Sequence, residues 1–271
     1  MDSNELKNLA NKLRYMALEA IFCAGSGHPG GALSSADLIT YLYFKEMRVD
    51  TQNPHDPDRD RFVFSKGHAC PILYAALAEK GFFPKDELKK LRHIDSFLQG
   101  HPDLKHTPGI DMSTGSLGQG ISAACGIAMA GKKQHKNYRV YTIVGDGEIQ
   151  EGQFWEALNF AHKYELANLM IILDYNGLQI DGTNEEVMNI DHLKERFSSF
   201  GLNTLEIDGH NFAEIEQAFR QAKNCKDRAT IVIAHTVKGK GVSFMENQVG
   251  WHGKAPTQDE LNRAKAELEV A

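Results

Sequence analysis

Short apolar runs alternate with amphipathic segments through the second half of the chain, and this alternation constrains the fold more than any other feature. Residues 140–144, 169–173 and 230–234 are apolar runs rich in Val, Ile and Leu, with Leu205-Glu206-Ile207 a shorter one. Runs this short and this apolar read as strands buried on both faces. Between them, residues 153–164 place Phe154, Leu158 and Ala161 on or near one helical face, and a second helical pattern covers 212–222. Strand and helix in alternation mean βαβ units. The expected fold class is α/β, a mostly parallel sheet with helices on both faces.

The first half is less regular. An amphipathic helix opens the chain, with Ser3 as its N-cap and Leu6, Leu9, Leu13, Met16 and Ile21 at helical spacing, and it stops at Gly25-Ser26-Gly27-His28-Pro29. A second helix is expected from Ser34 or Ser35 through Met47, and a polar turn follows at residues 53–57. Arg61-Phe62-Val63-Phe64 reads as a strand, leading into Ser65-Lys66-Gly67-His68 and a helix through Leu73, Ala76 and Leu77. Pro84 suits the first turn of a helix over 85–92. Residues 99–120 form a long irregular stretch, and 258–271 a polar surface helix. No linker, repeat or low-complexity segment divides the chain, so residues 1–271 are expected to be one domain.

Composition excludes several functions. Acidic residues outnumber basic ones 36 to 30, a net charge of −6, which argues against a nucleic-acid or acidic-membrane surface built on bulk charge. No apolar stretch approaches the ~18 residues of a membrane span, and residues 1–10 lack the charged and apolar regions of a signal peptide. The four cysteines are far apart with no zinc spacing, as expected of reduced thiols in a cytoplasmic protein. More unusual are the 12 histidines, several beside glycine.

Gly145-Asp146-Gly147 follows the strand at 140–144, at the carboxyl edge where open α/β sheets place their ligands. Glycines let a bulky anion approach the backbone, and the aspartate repels that anion unless a cation lies between. The next strand ends in Asp174-Tyr175-Asn176-Gly177-Leu178, which brings Asn176 to the same rim. A carboxylate, an amide oxygen and a backbone carbonyl are hard ligands, suited to Mg²⁺ completed by phosphate oxygens and water. Either motif alone is more often a turn. Their occurrence at the ends of consecutive strands points to a metal-bridged diphosphate.

Gly145-Asp146-Gly147 with Asn176 resembles the thiamine-diphosphate fingerprint, and residues 145–152, Gly-Asp-Gly-Glu-Ile-Gln-Glu-Gly, look like its transketolase form. The resemblance extends in order through Ser26-Gly27-His28-Pro29-Gly30, Ser65-Lys66-Gly67-His68, Gly100-His101-Pro102, residues 113–120, Asp181-Gly182 and Trp251-His252-Gly253, nearly the whole chain. It implies the thiamine-diphosphate-binding fold, in its diphosphate-binding (PP) domain. Asp146, Asn176 and the Leu178 carbonyl would then bind Mg²⁺, with Ca²⁺ or Mn²⁺ as substitutes. Gly147 would offer its N–H to the diphosphate, Gly115 and Leu117 would hold the aminopyrimidine, and Ile180 would lie against the thiazolium ring. His68 and His252 would sit near the diphosphate, with His28, His101 and His252 around the hydroxyls of a two-carbon donor fragment.

Glu151 and Glu156 match family glutamates that link two active sites across a dimer interface, and Glu151 is grouped with the cofactor-binding residues. As acids in a helix's first turn they are equally well explained by the macrodipole. Phe154 and Trp155 are expected to pack. His55, His93, His106, His135, His162, His192, His210 and His235 match no block strongly and read as surface or core. Lys238-Gly239-Lys240-Gly241 has the look of a phosphate loop but reads first as an exposed turn.

A full transketolase continues with pyrimidine-binding and C-terminal domains that this chain does not contain. The resemblance therefore implies a partner chain, a C-terminal transketolase subunit carrying the pyrimidine-binding domain and its activating glutamate, in an α₂β₂ heterotetramer. The expected activity is transfer of a two-carbon ketol unit from a ketose phosphate to an aldose phosphate, in pentose phosphate metabolism. Two readings remain beside it. One is a related carboligase subunit, deoxyxylulose-phosphate-synthase-like or directed at a modified sugar or sulfosugar; the other is a non-catalytic paralogue that binds thiamine diphosphate.

Overall fold

Five strands make one sheet in a computed structural model that describes residues 1–270: β1 (Arg61–Phe64), β2 (Val140–Gly145), β3 (Leu169–Tyr175), β4 (Asn203–Asp208) and β5 (Thr230–His235). Their order is β1-β2-β3-β5-β4, and every pairing is parallel. The strands alternate between two apolar layers. Tyr141, Ile143, Met170, Ile172 and Val232 enter one layer, and Val140, Val144, Leu169, Ile171 and Ile233 enter the other. Burial on both faces explains why these runs are apolar throughout.

Ten α-helices are found among the described residues: α1 (Ser3–Ala24), α2 (Pro29–Ser34), α3 (Ala36–Tyr41), α4 (Cys70–Lys80), α5 (Gln119–Lys133), α6 (Gly152–Lys163), α7 (Asn184–Val187), α8 (Leu193–Ser199), α9 (Phe212–Asn224) and α10 (Gln258–Glu267). α1 to α4, α9 and α10 cover the first face, and α5, α6 and α8 the second. α4 is buried from Cys70 through Ala78, consistent with its apolar circumference. No helix among the described residues is long and apolar enough to cross a membrane.

Three local expectations are corrected. Asp2, not Ser3, caps α1: its carboxylate accepts from the N–H groups of Asn4 (2.8 Å) and Glu5 (2.9 Å), while Glu5 reaches back to the Asp2 N–H. The helix placed at 34–47 is three pieces. α2 begins at Pro29, a residue pre-set for a first turn, and the Ser34 and Ser35 hydroxyls bond back to the Gly31 carbonyl at the break before α3. A π-helical turn, Leu42–Glu46, then ends the segment. Residues Lys85–Lys90 are a 3₁₀ helix rather than an α-helix.

Thr142 lies in the middle of β2, paired with Val63 and Ile171, and its hydroxyl is buried with no hydrogen-bond partner. An orphaned polar group in an apolar layer is destabilising. Thr142→Val is therefore expected to stabilise the protein by about 1 kcal/mol in urea unfolding; a loss of stability would contradict the assignment.

Candidate active site

The carboxyl ends of β1, β2, β3 and β5 run into four turns that surround one cleft of about 380 Å³. His28, Lys66, His68, Gly115, Leu117, Asp146, Gly147, Asn176, Leu178, Ile180, Lys238 and His252 are among its lining residues. Parallel register sets this up: Gly145 pairs with Asp174, and Asp174 with Ala234, so the three turns begin at one level.

Beneath the cleft lies a buried ion pair. The Lys66 ammonium donates to the Asp174 carboxylate and to the Gly31 carbonyl, the latter at 2.8 Å. Asp174 also accepts from the Ser34 hydroxyl (2.6 Å), the Thr236 hydroxyl and the Asn176 amide (3.3 Å). Burial opposes its ionisation, but the Lys66 charge and these hydrogen bonds hold its pKa below the usual aspartate value. Glu148 acts similarly at the side, accepting from the Ser65 hydroxyl and from the N–H groups of Gly118 (2.9 Å) and Gly145 (3.1 Å). It joins the turns after β1 and β2 to the loop that carries Gly115 and Leu117.

Asp146 has a different environment. Its carboxylate accepts from the N–H groups of Gly147 (3.0 Å) and Gly177 (2.9 Å) and from the Asn184 amide (3.2 Å), which joins the β2 turn to the β3 turn. None of these donors is charged. Burial, reinforced by the Asp174 charge, raises its pKa to about 6. A carboxylate held this way has unmet demand for a cation.

Three imidazoles cluster opposite it. The ring centroids of His28, His68 and His252 lie 5.2 to 5.4 Å apart. Burial lowers all three pKa values, with cationic neighbours adding to it: Lys66 for His68, Arg92 for His28 and Lys238 for His252, which falls to about 4. At neutral pH the cluster is therefore uncharged. His28 Nδ1 is buried with no protein partner. Lys238 lies between this cluster and the β3 turn, donating to His252 Nδ1 at 3.0 Å and to the carbonyls of Leu178 and Gln179 at 3.3 Å. Burial lowers its pKa to about 8; Lys66 adds to the shift, while Asp146 opposes it.

The family model for the transketolase thiamine diphosphate binding domain matches residues 5–271. The chain belongs to the transketolase family. The 6-deoxy-6-sulfo-D-fructose transketolase subunit SqwG of Clostridium sp. (strain MSTE9) is 45% identical over 265 residues, which are 98% of this chain and 96% of SqwG. Human transketolase is 46% identical over 250 residues, 92% of this chain but 40% of that protein. The crystal structure of Campylobacter jejuni transketolase matches with a TM-score of 0.94 at 34% identity, covering 99% of this chain and 43% of that one. This chain thus spans less than half of the two longer transketolases and nearly all of SqwG.

Most of the residues singled out from the transketolase blocks meet in the cleft: His28, His68, Gly115, Leu117, Asp146, Gly147, Asn176, Leu178, Ile180 and His252 all line it. Two do not. Glu151 is exposed at the start of α6, outside the lining, and its side chain is placed against Gly118. His101 is exposed at the rim, its ring beside Gly115. Glu156 is also exposed, whereas Phe154 packs against Phe197, and Trp155 stacks on Phe197 and donates to the Ile149 carbonyl. Lys238 corrects the expectation of an exposed turn: it is 2% exposed and enters the cleft. Its position directly after a strand in a glycine-rich run was the available signal. Lys66 and Glu148 stand inside the matched blocks, and Asp174 in the strand-end run before Asn176, with no role expected from the sequence.

Asp146 gives this transketolase-family cleft a testable pH signature. Its proton leaves near the ordinary value of 3.8 in the unfolded chain and near 6 in the folded one. Without a cation, the folded state is progressively penalised as pH rises through that window, by about 3 kcal/mol in all. In metal-free buffer, the stability of Asp146→Asn relative to wild type is expected to improve by this amount between pH 4 and 7 in urea titrations, whatever its constant offset. A difference independent of pH would contradict the assigned environment.

Proposed function

We propose that this chain is the diphosphate-binding subunit of a two-chain transketolase, a single domain over residues 1–271, working with a partner that carries the pyrimidine-binding domain in an α₂β₂ assembly. Its near full-length match to a protein named as a transketolase subunit, together with a complete diphosphate-side cleft, carries this reading. Free cysteines, two of them buried, suit a reducing cytoplasm.

The cleft fits the cofactor and its metal. Asp146 lacks a charged donor, and Asn176 and the Leu178 carbonyl complete a hard oxygen set that suits Mg²⁺. Lys238 supplies positive charge for a diphosphate, and Gly147 lines the same cleft. Gly115, with φ +143°, gives the close backbone approach an aminopyrimidine needs, and exposed Ile180 offers an apolar face to the thiazolium ring. Thiamine diphosphate, when bound, supplies a nucleophilic carbon and an electron sink that allow the C2–C3 bond of a ketose to break.

The chain's own residues orient the sugar and move protons. His28 lines the cleft, and a neutral imidazole there can hydrogen-bond a substrate hydroxyl. His252 accepts from Lys238 at Nδ1, so its neutral ring carries the hydrogen on Nε2 and can donate it to a substrate oxygen. His68 stands behind both and packs against their rings. In this reading His101, whose ring lies beside Gly115, would meet a hydroxyl of the two-carbon fragment.

The likeness to SqwG favours a 6-deoxy-6-sulfo ketose as donor beside the sugar phosphates of pentose phosphate metabolism. The test combines this chain, a candidate pyrimidine-domain partner polypeptide, thiamine diphosphate, Mg²⁺ and each donor in turn. Ketol transfer is expected only when both chains are present; turnover by this chain alone would overturn the proposal. His28→Ala in the assembled enzyme is expected to lower kcat about 10²-fold or more while the complex still forms. Asp146→Ala is expected to abolish turnover with assembly retained, and full activity at limiting Mg²⁺ would refute the metal assignment.

A further inference from the structure

His210 has no role in the reading above, yet it lies at the centre of a buried hydrogen-bonded chain that ends at the cleft. Arg14 of α1, 3% exposed, holds Asp37 of α3 with both terminal nitrogens and donates through Nε to the Leu33 carbonyl of α2 at 3.2 Å. The Asp37 oxygen that accepts from Arg14 Nη2, Oδ2, also meets His210 Nδ1 at 2.6 Å. His210 Nε2 in turn accepts the N–H of Val237 at 2.9 Å, and the next residue is Lys238.

This network fixes the tautomer. Asp37 stays ionised because Arg14 and His210 outweigh the penalty of its burial, so Nδ1 carries the hydrogen and donates it. Nε2 accepts from an amide and so cannot carry a hydrogen of its own. The ring is a neutral, oriented spacer. Three N–H groups of the strap that leaves β5 are held by other segments: Thr236 N–H by the Tyr175 carbonyl (3.1 Å), Val237 N–H by His210, and Gly239 N–H by the Gly30 carbonyl (3.0 Å); the Thr236 hydroxyl on Asp174 and the Asn247 N–H on the Lys238 carbonyl (2.9 Å) add to them. The His210 bond is the only one of the three made by a side chain. It is also the one that ties the strap to α1 and α3, the layer that anchors α2 beside His28.

We propose that His210 is a positioning residue that fixes the Val237–Lys238 strap and thereby sets the Lys238 ammonium against the Leu178 and Gln179 carbonyls and His252. That this placement serves diphosphate binding rests on the proposed function; the placement itself does not. His210→Asn keeps a donor for Asp37 but withdraws the acceptor from Val237, whereas His210→Gln returns an oxygen to the place of Nε2.

The test is trace acetylation of the full chain, without ligand, read by mass spectrometry. Lys238 is compared with half-exposed Lys240 as reference and buried Lys66 as a folding control. H210N is expected to speed Lys238 labelling about tenfold relative to Lys240, with Lys66 still protected and H210Q near wild type. Lys238 labelling unchanged in H210N, or H210Q behaving like H210N, would overturn the proposal. If Lys66 becomes reactive in H210N the variant has unfolded, and amide hydrogen exchange on the wild-type chain decides. Slow exchange at Val237 supports the proposal, and exchange at the rate of an open peptide overturns it. Thiamine diphosphate with Mg²⁺ is expected to protect wild-type Lys238 further; absence of that protection counts against the cofactor reading alone.

Discussion

Lys66 reaches from the end of β1 to Asp174 at the end of β3, and on this buried contact the rest of the cleft depends. The same carboxylate gathers Ser34 from α2 and Thr236 from the strap after β5, so one anion ties together four segments that are distant in sequence. Removing either partner would leave an uncompensated charge in the interior, which is strongly destabilising. The pair also sets the protonation above it. Asp174 raises the Asp146 pKa, while Lys66 helps lower those of His68 and His252.

The cleft is therefore polarised before any ligand enters. On one side is a carboxylate that resists ionising without a cation; on the other are neutral imidazoles and a lysine whose charge is weakened by burial. A divalent cation together with a diphosphate relieves both conditions at once. In the proposed function Asp146 and the hard oxygens of the β3 turn would hold the cation, and Lys238 would meet the anion. A metal or an anion alone would answer only half of this arrangement.

Much of this was legible in the sequence. Residues 140–144, 169–173 and 230–234 could only be strands buried on two faces, and consecutive parallel strands place Asp146 and Asn176 on one rim. The helix at 34–47 failed because periodicity cannot register serine hydroxyls that bond back to the backbone at Gly31. Lys238 was misread because side-chain direction in a glycine-rich turn depends on contacts from elsewhere, here Gly30 across the strap and the backbone reversal at Gly239, φ +80°. His210 was obscure because both its partners are remote: Asp37 lies 173 residues away and Val237 lies 27. Glu151 and His101 rested on resemblance alone, and no local pattern says which surface such residues face.

In the proposed function, Asp146 and the β3 turn hold a metal that bridges to a diphosphate. Electron–nuclear double resonance on the Mn²⁺-substituted protein, assembled with its partner and thiamine diphosphate, measures that bridge directly. ³¹P hyperfine coupling to the bound Mn²⁺ is expected, and it is expected to disappear in Asp146→Ala. Bound Mn²⁺ without ³¹P coupling, or coupling that survives the substitution, would contradict it.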